Sequence, residues 1–224
     1  MIELRAVSQR FQAHTVLYQL DLTLTERRIG VVGGNGSGKS TFARLLNGLQ
    51  IPTEGVVKVD GLDTSRHGRE VRQRVGFVFQ NPDNQIVMPL VDEDLAFGLR
   101  CLRLPRAELE VRLDAVLALH GLSACRDQSA HLLSGGQKQM LAIAGVLVMQ
   151  PRYIVFDEPT TLLDLRNTRR VARTIAELPQ TAIVVSHDLE LLRDFDRVLV
   201  FQDGRLVDDD RPDAALTRYA AAMA

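Results

Sequence analysis

The stretch RRIGVVGGNGSGKSTFARLLNGL, residues 27–49, passes through three textures: a short apolar run, a glycine-rich turn, and a segment with apolar residues at Phe42, Leu45, Leu46 and Leu49. The first reads as a buried strand and the last as a helix. Between them, Gly33 to Ser40 fit the pattern G-x-x-x-x-G-K-S. A strand before and a helix after is the context in which that pattern cradles phosphate. Glycines at 34, 36 and 38 free the backbone to turn successive N–H groups inward, and the helix N-terminus adds partial positive charge. The expected contacts are Gly33, Gly34, Asn35, Gly36, Ser37, Gly38, Lys39, Ser40 and Thr41. Lys39 would reach the β- and γ-phosphates, Ser40 would hold Mg²⁺, and Thr41 would touch the α-phosphate side. A glycine-rich surface turn beside a lysine shares the composition but has no need of those flanks. The reading is a nucleoside triphosphate site.

Further along, IVFDEPTTLLDL (154–165) places Asp157 and Glu158 side by side directly after an apolar run. Adjacent carboxylates at the end of a buried strand repel each other, and a bound cation offsets that repulsion. Asp157 then suits the Mg²⁺ shell, and Glu158 suits the orienting or deprotonation of an attacking water. A solvated strand end before Pro159 would explain "DEP" taken alone, but less well after a phosphate loop. About twenty residues earlier stands LSGGQ, Leu133 to Gln137. Ser134, Gly135, Gly136 and Gln137 at a helix start form a second anion cradle. One nucleotide does not need two cradles from one chain, so the economical solution is that the second closes on a nucleotide held by another copy.

The phosphate loop, Gln80 after GFVF, LSGGQ, YIVFDEP, LLD and His187 in VVSHD together resemble the motif series of ABC-type ATPase subunits, over nearly the whole chain. The resemblance implies an α/β fold of the P-loop NTPase (RecA-like) class, with a parallel-sheet core and an antiparallel β lobe. It implies one nucleotide-binding domain over residues 1–224, with a helical lobe inserted at about 81–150. It also implies ATP and Mg²⁺ as cofactors, ATP hydrolysis, and a head-to-tail homodimer or a pairing with a second ATPase subunit. Carried over by position, Phe11 stacks on adenine, although a buried core phenylalanine is the alternative. Gln80 touches Mg²⁺ or water and senses the membrane partner. His187 contacts the γ-phosphate, and Asp164 communicates across the dimer. Leu162 departs from the small residue usual at its position, which bears on the detail of that communication.

FQNPDNQIVMPLVDEDLAFG (79–98) and SGGQKQMLAIAGVLVMQP resemble the ATPase subunits of energy-coupling-factor importers. The implied partners are a transmembrane coupling protein and a small membrane substrate-binding protein. The implied place is peripheral, on the cytoplasmic face of the cell membrane. The biotin importer subunit is the nearest likeness, with cobalt or nickel as the alternative cargo. Asp92, Glu93 and Asp94 either attract a basic partner helix or complement their own helix dipole.

The remainder of the chain fits this frame. VLYQLDLTL alternates, setting Val16, Tyr18, Leu20, Leu22 and Leu24 on one face of an antiparallel strand. RAELEVRLDAVLALHGL (106–122) reads as a helix with apolar positions Leu109, Leu113, Val116, Leu117 and Leu119. Short strands alternate with helices from 153 onward and end in a polar tail. Histidines 14, 67, 120 and 131 lack a motif and are expected at the surface. Of 224 residues a quarter are charged, with a net charge of −1. No field of that sign draws in nucleic acid, and the chain has no sustained heptads of the kind seen in chromosome-maintenance or DNA-repair ATPases. Cys101 and Cys125 show no metal spacing and no signal peptide precedes them, so reduced cytosolic thiols are expected.

Overall fold

Parallel strands buried on both faces need nearly continuous apolar sequence, and the chain supplies several such runs. The computed structural model describes residues 1–100 and 105–223. Cys101 lies outside the described residues, while Cys125 is buried. Two compact units are formed, one from Met1–Phe77, Arg152–Glu158 and Leu178–Ala224, the other from Val78–Pro151 and Pro159–Glu177.

In the first unit, β3 (Arg28–Gly33), β7 (Tyr153–Asp157), β8 (Thr181–Val185) and β9 (Arg197–Gln202) are parallel. With β6 (Val75–Val78) and β10 (Arg205–Asp210) they make a six-stranded sheet of order β10-β9-β3-β8-β7-β6. Val31 pairs with Val185 and Val185 with Asp157, so β7 and β8 end in one row and β3 runs two residues past it. The loops leaving β3, β7 and β8 therefore share one edge, the carboxyl edge at which open α/β sheets bind ligands. Helix α1 (Lys39–Leu46) follows β3 and buries Phe42, whose ring centroid lies 4.9 Å from that of Phe201. Leu49, expected on this helix, lies past its end and is exposed, because the helix stops at Asn47 and Gly48 turns left-handed.

The antiparallel sheet has the order β2-β1-β4-β5, from β1 (Ile2–Phe11), β2 (His14–Leu24), β4 (Glu54–Val59) and β5 (Leu62–Asp63). Its β2 departs from the simple alternation. Leu17, Leu20, Leu22 and Leu24 are buried, while Tyr18 is exposed. The pairs Val7↔Leu20 and Gln9↔Leu17 leave one extra residue on β2, and Gln19 there takes φ 43°. Such a bulge reverses the facing of everything before it. Pattern reading has no signal for it, since glycine, the usual marker, is absent.

The polar tail is in fact a strand and a helix. Asp203 and Gly204, both left-handed (φ 49° and 75°), turn β9 into β10, as Asp-Gly turns do in hairpins. Helix α7 (Pro212–Met223) follows, and its Arg218 pairs with Asp208 and Asp210.

The second unit is helical: short α2 (Gly68–Arg74) belongs to the first unit, and α3 (Val91–Arg100), α4 (Arg106–Leu119), α5 (Gly135–Leu147) and α6 (Leu165–Glu177) to the second. Leu113, Val116 and Leu117 of α4 are buried, but Leu119 faces solvent because the helix ends at His120. His120 itself is 3% exposed, which corrects its expected surface position. The Arg170 side chain donates to its carbonyl, and its Nε2 has no hydrogen-bond partner among the described residues. Burial, with Arg170 adding to it, lowers the His120 pKa from 6.5 to about 4.

The unfolded chain therefore takes up a proton on this histidine that the folded chain refuses between those values. Its contribution to stability is complete above pH 6.5 and is lost as pH falls toward about 4. Thermal melts of His120→Gln should lose less over that interval than the parent does, by a few degrees at about 2–4 °C per kcal/mol. Identical acid limbs in the two proteins would contradict this.

Candidate functional site

At the carboxyl edge of the parallel sheet, the loop 33–38 is shaped by what lies behind it. A methyl group at Gly33 would fall on the Phe201 carbonyl, and one at Gly38 (φ 97°) would meet Leu17 Cδ2 at 2.6 Å. By contrast, Gly34 and Gly36 look onto open space. The loop is thus pressed against protein on one side and open on the other, as a backbone cradle for a bulky anion has to be. Ser37 Oγ is buried without a hydrogen-bond partner among the described residues, a further polar atom in need of a ligand.

Lys39 is 6% exposed, and its Nζ donates to the carbonyls of Gly33 (2.7 Å) and Gly34 (2.8 Å). Burial lowers its pKa, while the carboxylates of Glu158 and Asp157 pull the other way. Ser40 donates its hydroxyl to Asp157 Oδ1 at 2.9 Å, and Arg44 stands 4.0 Å from Asp157 Oδ2. A hydroxyl and a carboxylate oxygen side by side are the hard donors that Mg²⁺ takes together with substrate phosphates. The pair therefore fits that ion.

Glu158 is buried and left-handed (φ 54°), a conformation that costs on the order of 1–3 kcal/mol in a residue with a Cβ. It is held by its N–H donating to Val185 O (3.0 Å) and by His187, whose backbone N–H reaches Oε2 at 3.3 Å and whose Nε2 lies 3.1 Å from Oε1. The adjacent acids thus diverge: Asp157 faces Ser40 and Glu158 faces His187. Phe11 ends β1 and is 45% exposed, so it is not a core residue.

The remaining motif residues lie in the second unit. Gln80 is exposed just after β6, ahead of a turn in which Asn81 accepts from the Asp83 N–H. Ser134 caps α5 in a reciprocal box: its Oγ accepts from Gln137 N (3.3 Å), and Gln137 Oε1 accepts from Ser134 N (2.9 Å). The N–H groups of Gly135 and Gly136 have no intrahelical partner at this first turn. Of the three acids on α3, Asp94 takes the N–H groups of Val87 (2.8 Å) and Met88 (3.0 Å), and Asp92 faces Arg126 at 3.9 Å. Glu93 forms no ion pair among the described residues.

Sequence reasoning missed two neighbours of the loop. A cavity of about 460 Å³ is lined by Gly34, Asn35, Gly36 and Ser37 and, from α7, by Arg218 and Tyr219. It takes in the Gly34–Ser37 part of the phosphate cradle but is not lined by Lys39 or Ser40. Burial, and secondarily the Glu158 carboxylate, raises the Tyr219 pKa. The Asp203-Gly204 turn was the sequence signal that could have brought the tail back to this place.

Residues 17–161 match the family model described as ABC transporter. A Deinococcus radiodurans chain named as an ABC transporter ATP-binding protein is 65% identical over 100% of this chain and 99% of its own. The biotin transport ATP-binding protein BioM of Rhizobium etli is 49% identical, covering 97% of both chains. The energy-coupling factor transporter ATP-binding protein EcfA1 of Caldanaerobacter subterraneus is 46% identical over 82% of this chain and 69% of its own. Among solved structures, CbiO1 of Clostridium perfringens, part of the ABC transporter complex CbiONQ, superposes with a TM-score of 0.86 at 32% identity, covering 97% and 91% of the two chains. A dimeric ATP-binding cassette, MJ0796, bound to ADP and Pi superposes at 0.85 with 27% identity, covering 95% and 99%.

Lys39→Ala removes the cation buried beside the loop. Triphosphate affinity measured by fluorescent-nucleotide titration should fall at least ~10-fold, about 1.4 kcal/mol, and an unchanged Kd would refute the cradle.

Proposed function

This chain belongs to the ABC transporter ATP-binding family, among its energy-coupling-factor ATPase subunits, and from that premise we propose how its residues divide the work. It is an ATP-hydrolysing cassette. The observation that carries the proposal is the divergence of Asp157 and Glu158, one turned to Ser40 and the other to His187.

In this reading Gly33–Thr41 wrap the phosphates and Lys39 leaves its carbonyl partners for the β- and γ-phosphate oxygens. Phe11 supports the adenine. Ser40 and Asp157 would hold Mg²⁺, which would supply neutralisation of the phosphate charge. Glu158 orients the attacking water and takes its proton. His187 fixes the Glu158 carboxylate through Nε2 and lends a donor to the γ-phosphate as charge develops. Ser134, Gly135, Gly136 and Gln137 complete the site of a second copy, so that a homodimer, or a pair with a second ATPase subunit, carries two such sites.

The proposed setting is the cytoplasmic face of the cell membrane. Among the described residues no helix is long and apolar enough to cross a membrane, so a transmembrane coupling protein and a small membrane substrate-binding protein would supply the passage. Exposed Val87 and Phe97 flank the α3 acids and offer apolar purchase for a helix of the coupling protein. Asp92 and Asp94 serve their own unit, which leaves Glu93 as the charge available to a partner. Biotin is the proposed cargo, supported by the 49% identity to a biotin transport subunit over nearly the whole chain. Uptake of labelled biotin against labelled cobalt or nickel, in cells expressing the chain with its membrane neighbours, decides among these cargoes.

Glu158→Gln keeps the size of the side chain and removes its charge. It should bind ATP normally, hydrolyse it at least ~10²-fold more slowly, and accumulate an ATP-bound dimer; normal turnover would sink the assignment. Val87→Asp should abolish co-purification with the membrane partner while leaving ATP affinity within about twofold, since it places an unpaired charge at an apolar contact. Retained co-purification would remove the docking role.

A further inference from the structure

The two signature glycines have opposite surroundings. A methyl group at Gly135 would meet nothing, as expected where a ligand approaches. A methyl at Gly136 would fall directly on the carboxamide of Asn167, three residues into α6. Gly136 sits inside a regular helix, so no backbone angle demands the glycine, and what a side chain there would have to displace is this carboxamide. The carboxamide is itself held. Asn167 Nδ2 lies 3.1 and 3.0 Å from the two Asp164 oxygens, and Asp164 Oδ1 also caps α6 by accepting the Asn167 N–H at 2.8 Å. A half-buried amide is thereby clamped between the first turn of α5 and the turn 159–164 that follows Glu158 in the chain.

We propose that Asn167 is a positioning residue for hydrolysis: its Asp164-bound carboxamide forms the wall that sets Gly136, so the Ser134–Gly136 cradle and the turn after Glu158 are fixed as one piece. The inference rests on the reading in which that cradle closes on a nucleotide held by a second copy. It accounts for Asp164 without assigning its carboxylate to the partner, because both oxygens are already engaged within their own unit. A second clamp, Arg170 on the His120 carbonyl, fastens the next turn of α6 to the end of α4. The α6 register is thus fixed at two points, and Asn167 has little freedom to follow a displaced cradle.

The test uses the full chain in the Glu158→Gln background, with ATP and Mg²⁺, and follows dimer formation by sedimentation. Asn167→Ala removes the wall. Asn167→Asp keeps its shape but sets a second carboxylate against Asp164, and it decides the matter should the alanine variant fail to fold. Each should weaken the ATP-dependent dimer at least ~10-fold, with single-chain ATP affinity within about twofold and an unchanged melt. Dimerisation equal to that of the Glu158→Gln parent overturns the inference. So does a parallel loss of melting temperature and single-chain affinity, which would mark a general scaffold residue. If the parent itself does not dimerise with ATP, the two-copy reading falls first and this inference falls with it.

Discussion

Two carboxylates joined by a single peptide bond at the end of a buried strand are the constraint around which this site is organised. Their mutual repulsion is relieved by pointing them apart, one to Ser40 and the other to His187, with Glu158 in a left-handed backbone conformation. That conformation is expensive, and Val185 and His187 hold it. Once it is in place, Asp157 faces the hydroxyl at the start of α1, Glu158 faces the histidine after β8, and Lys39 lies in the field of both. Three loops that are far apart in sequence become one polar edge because the strands that launch them share a register row.

Glycine placement follows the same economy. Gly33 and Gly38 lack side chains because protein presses on the loop from behind, whereas Gly34 and Gly36 lack them on the side left open. The signature repeats the division, with Gly135 open and Gly136 closed by Asn167. In both cradles one class of glycine is closed in by protein and the other faces open space. A sequence pattern records both as the same letter.

Motif spacing and apolar runs made the parallel sheet, the phosphate loop and the signature helix legible, because each depends on a few consecutive residues whose chemistry permits one local conformation. Other features were not readable in that way. The β2 bulge turns on Gln19 adopting a glycine-like angle, which no propensity announces, and it moves Leu17 inward and Tyr18 outward. His120 belongs to no motif and so reads as a surface residue, but the end of α4 is covered by its own unit and the histidine is carried inside. The tail read as polar because its charges are many, yet Arg218 pairs with Asp208 and Asp210 within it, and α7 lies beside the loop.

What the amino-acid sequence determined by itself was the inventory and order of chemical groups: a phosphate loop between strand and helix, an acid pair after an apolar strand, a capped helix start, and the family these name. Only the tertiary structure decided how those groups are aimed. The direction of each carboxylate, the protein behind Gly33, Gly38 and Gly136 and the Arg126 partner of Asp92 are settled by neighbours distant in the chain. Local preference fixes a residue's backbone to within a few choices, and long-range packing selects among them.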